Sequence, residues 1–570
     1  MMETHNLHNI NIYNYYNFKK KSNNIRTTNK FATKLTNYCL EEIFKYLKDD
    51  KTTLFSCILI NRSWSELAIP ILWSRPFENP MYGNNINIFW TYISCLSIEK
   101  KQLLANKGIK LSDPKKKPLF DYPKYLKGFD CLNFQIALSQ WVGKTGLHQN
   151  SKNLMDKLSP AELKYKTELC NQLIGPYLLT HSKNLRHLKY DHDSTGLINI
   201  LNLYSNNEIF QIFSKLETLE LKDTIFHENW VSRAERFSQL ASKLSLFNRN
   251  LQNISILLEI GKKKQIQLRY CKPILDLIKY QYNLKYLKIC EFWNTWSNCC
   301  SDLFYDALES QSNSLTYLSL TRFTQYHLLL PVLTKCKNLE TLEFWTIREQ
   351  DQDERELNRE DFANLTSSKQ QIFIKRLICY DHGDDPHFLT LVRGIIIKMA
   401  NRNLKELKFQ NVTTELLDII NLYCSKISNL YLTIDNLTLD HFLPILSIFN
   451  NIEYLYLFEY RKISLTFELI VRIAKSIPKS LYYLDITFHL TPTMLKILFE
   501  NCSSRLKVLV LHIDGMDDKY LEAIINYAER YKSLNTFNFD GNDIKFSRKV
   551  YKKAKKIIPV IRNFRTFTLY

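Results

Sequence analysis

Glycine is the most conspicuous shortage: 12 residues in a chain of 570. That scarcity argues against glycine-rich phosphate loops and against β-sandwiches built on many tight turns. Cysteine is present, 13 residues from Cys39 to Cys502, but no C-x-x-C pair occurs. Neither a zinc knuckle nor a thioredoxin-like site is therefore signalled, and the vicinal pair Cys299–Cys300 is weak evidence for redox chemistry. The thiols are expected to be free and buried, in a reducing compartment. No uninterrupted apolar run is long enough to span a bilayer, and the first thirty residues, rich in Asn, Tyr and Lys, lack the apolar core of a secretory signal. These features lead to the expectation of a soluble protein, cytoplasmic, nuclear or both, without a membrane partner.

What the chain does contain is apolar residues at 45% and an excess of 77 Lys+Arg over 57 Asp+Glu, a net charge of +20. A sizeable core is within reach. The charge would attract acidic partners or nucleic acid. The lysines are scattered rather than striped, however, so nucleic acid is not the expected partner.

Self-similarity organises most of the chain. The pattern L-x-x-L-x-L, with Ile or Phe allowed, opens at Leu185 and recurs at Leu216, Leu251, Leu284, Leu315, Leu339, Ile374, Leu404, Ile427, Ile452, Leu481, Leu506, Leu534 and Phe564. The intervals run from about 23 to 35 residues. In a strand the fourth and sixth motif positions share a face and point into a core. Between strands, apolar residues recur at helical steps: Leu275, Ile278 and Tyr282; Leu328, Leu329, Val332 and Leu333; Ile470, Ile473 and Ile477. One such unit cannot bury its own stripe, but a stack can. Asn stands before the first motif position at Asn184, Asn250, Asn283, Asn338, Asn403, Asn451 and Asn563, where its tolerance of a left-handed backbone suits the turn.

These units resemble irregular leucine-rich repeats over residues 181–570. The resemblance implies an α/β fold in which a curved parallel sheet carries helices on its convex side. The charged stretch from Arg348 to Asp361 reads as an inserted solvated segment.

Residues 35–73 have a different character. Leu40, Ile43, Phe44 and Leu47 share one helical face; Asp49 and Asp50 interrupt it and can cap a second helix with Leu54, Ile58 and Leu59. Trp64, Leu67, Ile71 and Leu72 continue into a third. Three helices this short leave apolar surface for a partner. The segment is similar to an F-box, matching at Leu35, at Ile43-Phe44 with Leu47, at Ile60 with Arg62 and Trp64, and at Leu72-Trp73. It departs at Thr36, where family members carry proline; Thr36 can cap the first helix instead.

An F-box followed by leucine-rich repeats implies the substrate-recognition subunit of an SCF-type cullin-RING ubiquitin ligase. By that resemblance the box docks on a Skp-type adaptor through Leu35, Leu40, Ile43, Phe44, Leu47, Leu54, Ile58 and Trp64, and the repeats hold an unidentified target protein. The alternative is a repeat scaffold whose box has become an N-terminal cap. The expected organisation is a basic, Asn-rich, unstructured segment over 1–33, the box over 34–73, a helical connector over 74–180 with a basic loop at Pro114–Pro118, and the repeats over 181–570.

Chemistry of its own is not expected. Gly143-Lys144-Thr145 ends like a phosphate loop, but Leu138 stands where the loop needs glycine. The Asp381–His387 stretch follows a strand, where a polar turn is expected without a metal. No nucleophile–base pair stands out. The chain is therefore read as non-catalytic, with no cofactor and no metal.

Function should then lie in the third and fifth motif positions, which face away from the core. Early in the repeats they are mixed and polar: His187 and Lys189, Thr218 and Glu220, Asn253 and Ser255, Tyr286 and Lys288. At the Ile427, Ile452 and Leu481 registers they become Asn429 and Tyr431, Tyr454 and Tyr456, and Tyr483 and Asp485. Tyr431, Tyr454, Tyr456, Tyr483 and Asp485 are accordingly the expected target-binding patch, since tyrosine joins apolar area to a polar tip.

Overall fold

The computed structural model describes residues 36–78, 87–109, 111, 118–145, 158–191, 212–222, 230–258, 264–291, 301–321, 326–346, 373–381, 386–400, 403–459 and 463–563. It divides into two compact units, Met1–Gly261 with Arg269–Leu284, and Lys262–Leu268 with Lys285–Tyr570. Leu35, the basic loop, the Arg348–Asp361 insertion, the Cys299–Cys300 pair and the Phe564 register lie outside the described residues. So do the side chains of Asp381–His387.

The first unit opens with three short helices, α1 (Asn37–Tyr46), α2 (Lys51–Ile58) and α3 (Arg62–Leu72). Each starts where a side chain can satisfy the first orphan amides. Thr36 accepts from the Cys39 amide at 3.3 Å, Asp50 from Thr53 at 2.9 Å and Asn61 from Trp64 at 2.9 Å. The Thr53 hydroxyl also donates to the Asp50 carboxylate at 2.6 Å, which holds its pKa below the ordinary value. There follow α4 (Ile88–Cys95), α5 (Ile98–Asn106), α6 (Cys131–Thr145) and α7 (Pro160–His181). Gly143, Lys144 and Thr145 are the last turn of α6, a helix end rather than a phosphate loop.

Four parallel strands belong to this unit: β1 (Gly128–Asp130), β2 (His187–Asp191), β3 (Thr218–Lys222) and β4 (Asn253–Leu258). The repeat sheet thus begins inside the expected connector, with Phe129 paired to Leu188. Sequence periodicity missed β1 because it spans three residues, too few to show the motif. An aromatic core holds it. Phe77 meets Phe134 at 5.0 Å and Phe129 at 5.7 Å, and Trp73 packs on Tyr122 at 4.4 Å.

The second unit carries eleven further strands: β5 (Tyr286–Glu291), β6 (Tyr317–Thr321), β7 (Thr341–Thr346), β8 (Arg376–Asp381), β9 (Glu406–Phe409), β10 (Asn429–Ile434), β11 (Tyr454–Glu459), β12 (Tyr483–Ile486), β13 (Val508–His512), β14 (Thr536–Asp540) and β15 (Val560–Asn563). They pair in parallel, each with the next in sequence. Equivalent motif positions pair directly: Leu407 with Leu430, Leu430 with Leu455, Leu455 with Leu484. These leucines are 0 to 2% exposed. A strand, a capped helix and the next strand form the repeating α/β leucine-rich unit. Thr413, Asp435, Thr466, Thr491, Asp517 and Ser547 cap the helices that follow β9 to β14.

One register was not expected, and one expectation needs correction. Val560 pairs with Thr536, which puts the buried Ile558 in the first motif position, ahead of Phe564. The helix Arg548–Ile557 runs almost directly into β15, and the short connection advances the strand. The turn asparagines do not use a left-handed backbone. Among the described residues the non-glycine positive φ values are at Asn411, Lys532 and Asp543. Two of the asparagine side chains instead reach back one repeat. Asn338 donates to the Asn313 carbonyl at 2.6 Å and Asn451 to the Ser425 carbonyl at 3.1 Å. Buried Asn248 donates to the Phe213 and Leu216 carbonyls, and Ser504 to that of Pro478. Such bonds satisfy carbonyls that the turn would otherwise bury unpaired.

All described cysteines are free, and most are buried, as a set of small apolar side chains in a repeat core would be. No described helix is long and apolar enough to cross a membrane. Because each strand touches mainly its neighbours, Leu455→Ala should cost about 2–5 kcal/mol. Amide exchange should accelerate most in β10, β11 and β12; an even loss of protection throughout the second unit would contradict a repeat core.

Candidate partner-binding surfaces

The three-helix box has a core of its own. Leu40, Phe44, Leu54, Cys57 and Ala68 are buried, with Leu47, Ile58, Trp64, Leu67, Ile71 and Leu72 packed partly against them. Phe44 meets the edge of Trp64 at 5.2 Å. Ser65 ties α3 to α2 by donating to the Ile58 carbonyl at 2.6 Å. Of the residues expected to dock on an adaptor, Leu40, Phe44 and Leu54 therefore lie inside the box, Leu47, Ile58 and Trp64 are half-buried, and Ile43 is exposed. Apolar residues outside that set are also on the surface. Tyr46 is 88% exposed, one turn from Ile43, and Leu59 (53%) and Ile60 (43%) follow the end of α2. Helical spacing could not separate the two groups, because a short three-helix unit is apolar on both its inner and its outer faces. Arg62 points to solvent and pairs with Glu66 at 2.9 Å.

The outward face of the second unit's sheet brings the expected tyrosines together. Tyr431 pairs with Tyr456 across β10 and β11, and their rings stack at 3.7 Å and 12°. Tyr456 lies 4.8 Å from Tyr483, and Tyr454 lies 5.6 Å from the same ring. Tyr456 and Asp485 are direct register partners. In-register parallel strands about 4.8 Å apart make such columns unavoidable, because identical motif positions stand side by side.

The stripe extends beyond the expected residues. Lys408 on β9 places its ammonium 5.9 Å from the Tyr431 ring and 4.8 Å from Tyr380, and Tyr380 lies 4.1 Å from Trp345. Trp345 and Tyr380 occupy the seventh motif position, which attention to the third and fifth positions overlooks. Trp345 donates to buried Glu343 at 2.7 Å, and the Tyr317 hydroxyl donates to the same carboxylate. Burial pushes the Tyr483 phenol up to about 12 and raises Tyr431 and Tyr456 further, so these hydroxyls remain neutral donors.

Beside the tyrosines, His512 stands between two carboxylates, with Nε2 at 3.0 Å from Asp485 and Nδ1 at 3.7 Å from Asp540. The Asp485 hydrogen bond raises the imidazole's pKa against an opposing effect of burial. The seventh position again kept this group out of the sequence-based expectation. A raised histidine pKa stabilises the fold fully below the ordinary value near 6.5, and that contribution is lost as pH rises through the folded-state value. Asp485→Asn should move the His512 midpoint down in an NMR titration; an unmoved midpoint would show that Asp485 is not its partner in solution. Among the described residues no cluster of His, Cys, Asp and Glu is arranged to hold a metal.

No family model matches the chain, and no curated protein matches it. Among solved structures, the leucine-rich repeat-containing protein LegL7 from Legionella pneumophila aligns at 14% identity over 51% of this chain and 85% of that one, with a TM-score of 0.32. A chain of the Rad7 and Elc1 complex in yeast aligns at 13% identity over 68% of this chain and 92% of that one, TM-score 0.35. A Bacteroides fragilis protein aligns at 11% identity over 71% and 85%, TM-score 0.23.

Proposed function

We propose that this chain is the substrate-recognition subunit of an SCF-type cullin-RING ubiquitin ligase, non-catalytic itself, with the box docking on a Skp-type adaptor and the repeats holding the target. The observation that carries the reading is the box. Its residues resemble an F-box, its three helices have a complete core, and Ile43, Tyr46, Leu59 and Ile60 still stand exposed around that core. A free-standing cap has no use for that exposed apolar surface, whereas a docking helix pair does. One observation favours the cap: Trp73, which closes the motif, is buried against Tyr92 and Tyr122 of the following segment.

Docking separates the two. Ile43→Asp or Leu59→Asp should cut co-purification with the adaptor by more than about tenfold, since burying such a side chain is worth roughly 1.5–3 kcal/mol. Phe44→Ala is a different experiment. It removes core, should destabilise the box by about 3–5 kcal/mol, and would lose binding through unfolding. A folded Ile43→Asp, Leu59→Asp protein that still retains the adaptor at wild-type levels would leave the cap as the better account. Target capture should depend instead on the sheet face: Tyr454→Ala with Tyr456→Ala should lose bound targets and keep the adaptor.

A further inference from the structure

The outward face of β10 to β14 differs in charge from the rest of the molecule. The whole chain carries 77 Lys+Arg against 57 Asp+Glu. Yet the outward positions of these five strands hold no lysine or arginine, and their charged residues are Asp485, His512 and Asp540. With His512 protonated, this group still carries one net negative charge. Next to it, Tyr431, Tyr456 and Tyr483 present stacked, neutral, half-buried rings. On β14, Asn538 is 8% exposed and its Oδ1 has no hydrogen-bond partner. An acceptor buried without a donor is costly, and a bound N–H would relieve the cost.

We infer that this face takes a basic, extended segment of a partner protein, with an arginine or lysine side chain lying along the edges of the tyrosine stack and its donors directed to Asp485 and Asn538. Carboxylate and amide oxygens recognise a guanidinium or ammonium by hydrogen bonds, charge-assisted at the carboxylate, while the apolar stem of the side chain packs along the rings. Within the protein Lys408 already places its ammonium against Tyr380 and Tyr431 at the β9 end of the stack. A single-stranded nucleic acid would also meet the rings, but its phosphates would face Asp485 and Asp540, and His512 is already engaged by both carboxylates. The inference rests on the reading that the repeats hold a target, and it names the chemistry of that target.

The test uses the full chain and three fluorescein-labelled probes: an arginine- and lysine-rich peptide, its glutamate-rich counterpart and single-stranded oligo(U) RNA. Anisotropy should show binding of the basic peptide in preference to the other two. Asp485→Asn and Tyr456→Ala should each weaken it by about tenfold or more. Asp440→Asn serves as the control: it removes the same charge from a helix, where Asp440 pairs with Arg472 at 2.8 Å, and should leave binding unchanged. Circular dichroism establishes that each variant is folded. Preference for the acidic peptide or the RNA overturns the inference, as does equal weakening by Asp440→Asn or no binding of the basic peptide at all. Co-purification of the adaptor, read on the same preparations, decides the receptor reading independently of these outcomes.

Discussion

A single parallel strand of this molecule cannot stand alone. Its backbone donors and acceptors point sideways, its inward leucines point at a helix that covers only part of them, and both needs are met by the next repeat. Lys507 and Val508 donate to the Tyr482 carbonyl at 2.7 and 2.9 Å, as Asn535 and Thr536 do to that of Lys507, at 2.9 and 3.0 Å. The same bifurcated pair of bonds opens strand after strand. It fixes the register, and the register decides everything else, because a one-residue slip would exchange the inward and outward faces. From β2 to β14 the inward fourth and sixth positions therefore carry aliphatic, aromatic or cysteine side chains, as at Leu377 and Cys379, whereas outward positions are free to carry chemistry. The ordered tyrosine stack follows from that constraint, since it is the register that sets Tyr431 beside Tyr456 and Tyr454 beside Tyr483.

Strands were legible in the sequence wherever the leucine period was intact. From Leu185 to Leu534 each strand begins two residues after the first motif position, so period and parity sufficed. What failed has local causes. β1 is three residues long and, counted from Leu126, carries Cys131 at the sixth motif position where Leu, Ile or Phe would be looked for, so its partner strand rather than its own pattern defines it. At the C-terminal end, pairing with β14 gives Ile558 a register that the leucine pattern did not bring out. The turn asparagines were recognised at the right places for the wrong reason. Their conformational tolerance is unused, and the amide groups of Asn338 and Asn451 reach the previous repeat, a long-range bond that no single-repeat pattern can reveal.

Sites were legible to different degrees for a related reason. In a sheet, parity alone decides which side chains face out, so motif position was enough to single out Tyr431, Tyr454, Tyr456, Tyr483 and Asp485. In three short helices no such rule exists. The stripe Leu40, Phe44 and Leu47 is apolar whether it faces a partner or the other two helices, and the fold commits its first two members to the internal core. The surface left over, Ile43 and Tyr46 with Leu59 and Ile60, is interrupted by the charged Glu42 and Lys45, which pair with each other at 2.8 Å. A mixed apolar and charged helix surface of this kind suits a contact that must also remain soluble when free.

The electrostatic state of the tyrosine face is set by its few ionisable groups. The phenols are neutral near pH 7 at their ordinary pKa, and half-burial moves them still further from ionisation. Burial also penalises the charge on His512, yet the hydrogen bond to Asp485 prevails and the imidazole is favoured in its charged form. Two carboxylates thus share one cation that the neighbouring strand supplies, an arrangement that lets Asp485 sit at 8% exposure without the cost of an isolated buried charge. Because that partner is a histidine and not a lysine or arginine, its charge depends on a proton that it can release. A stronger cation arriving from outside would face rings already neutral, one negative charge in excess, and a histidine able to give up its proton.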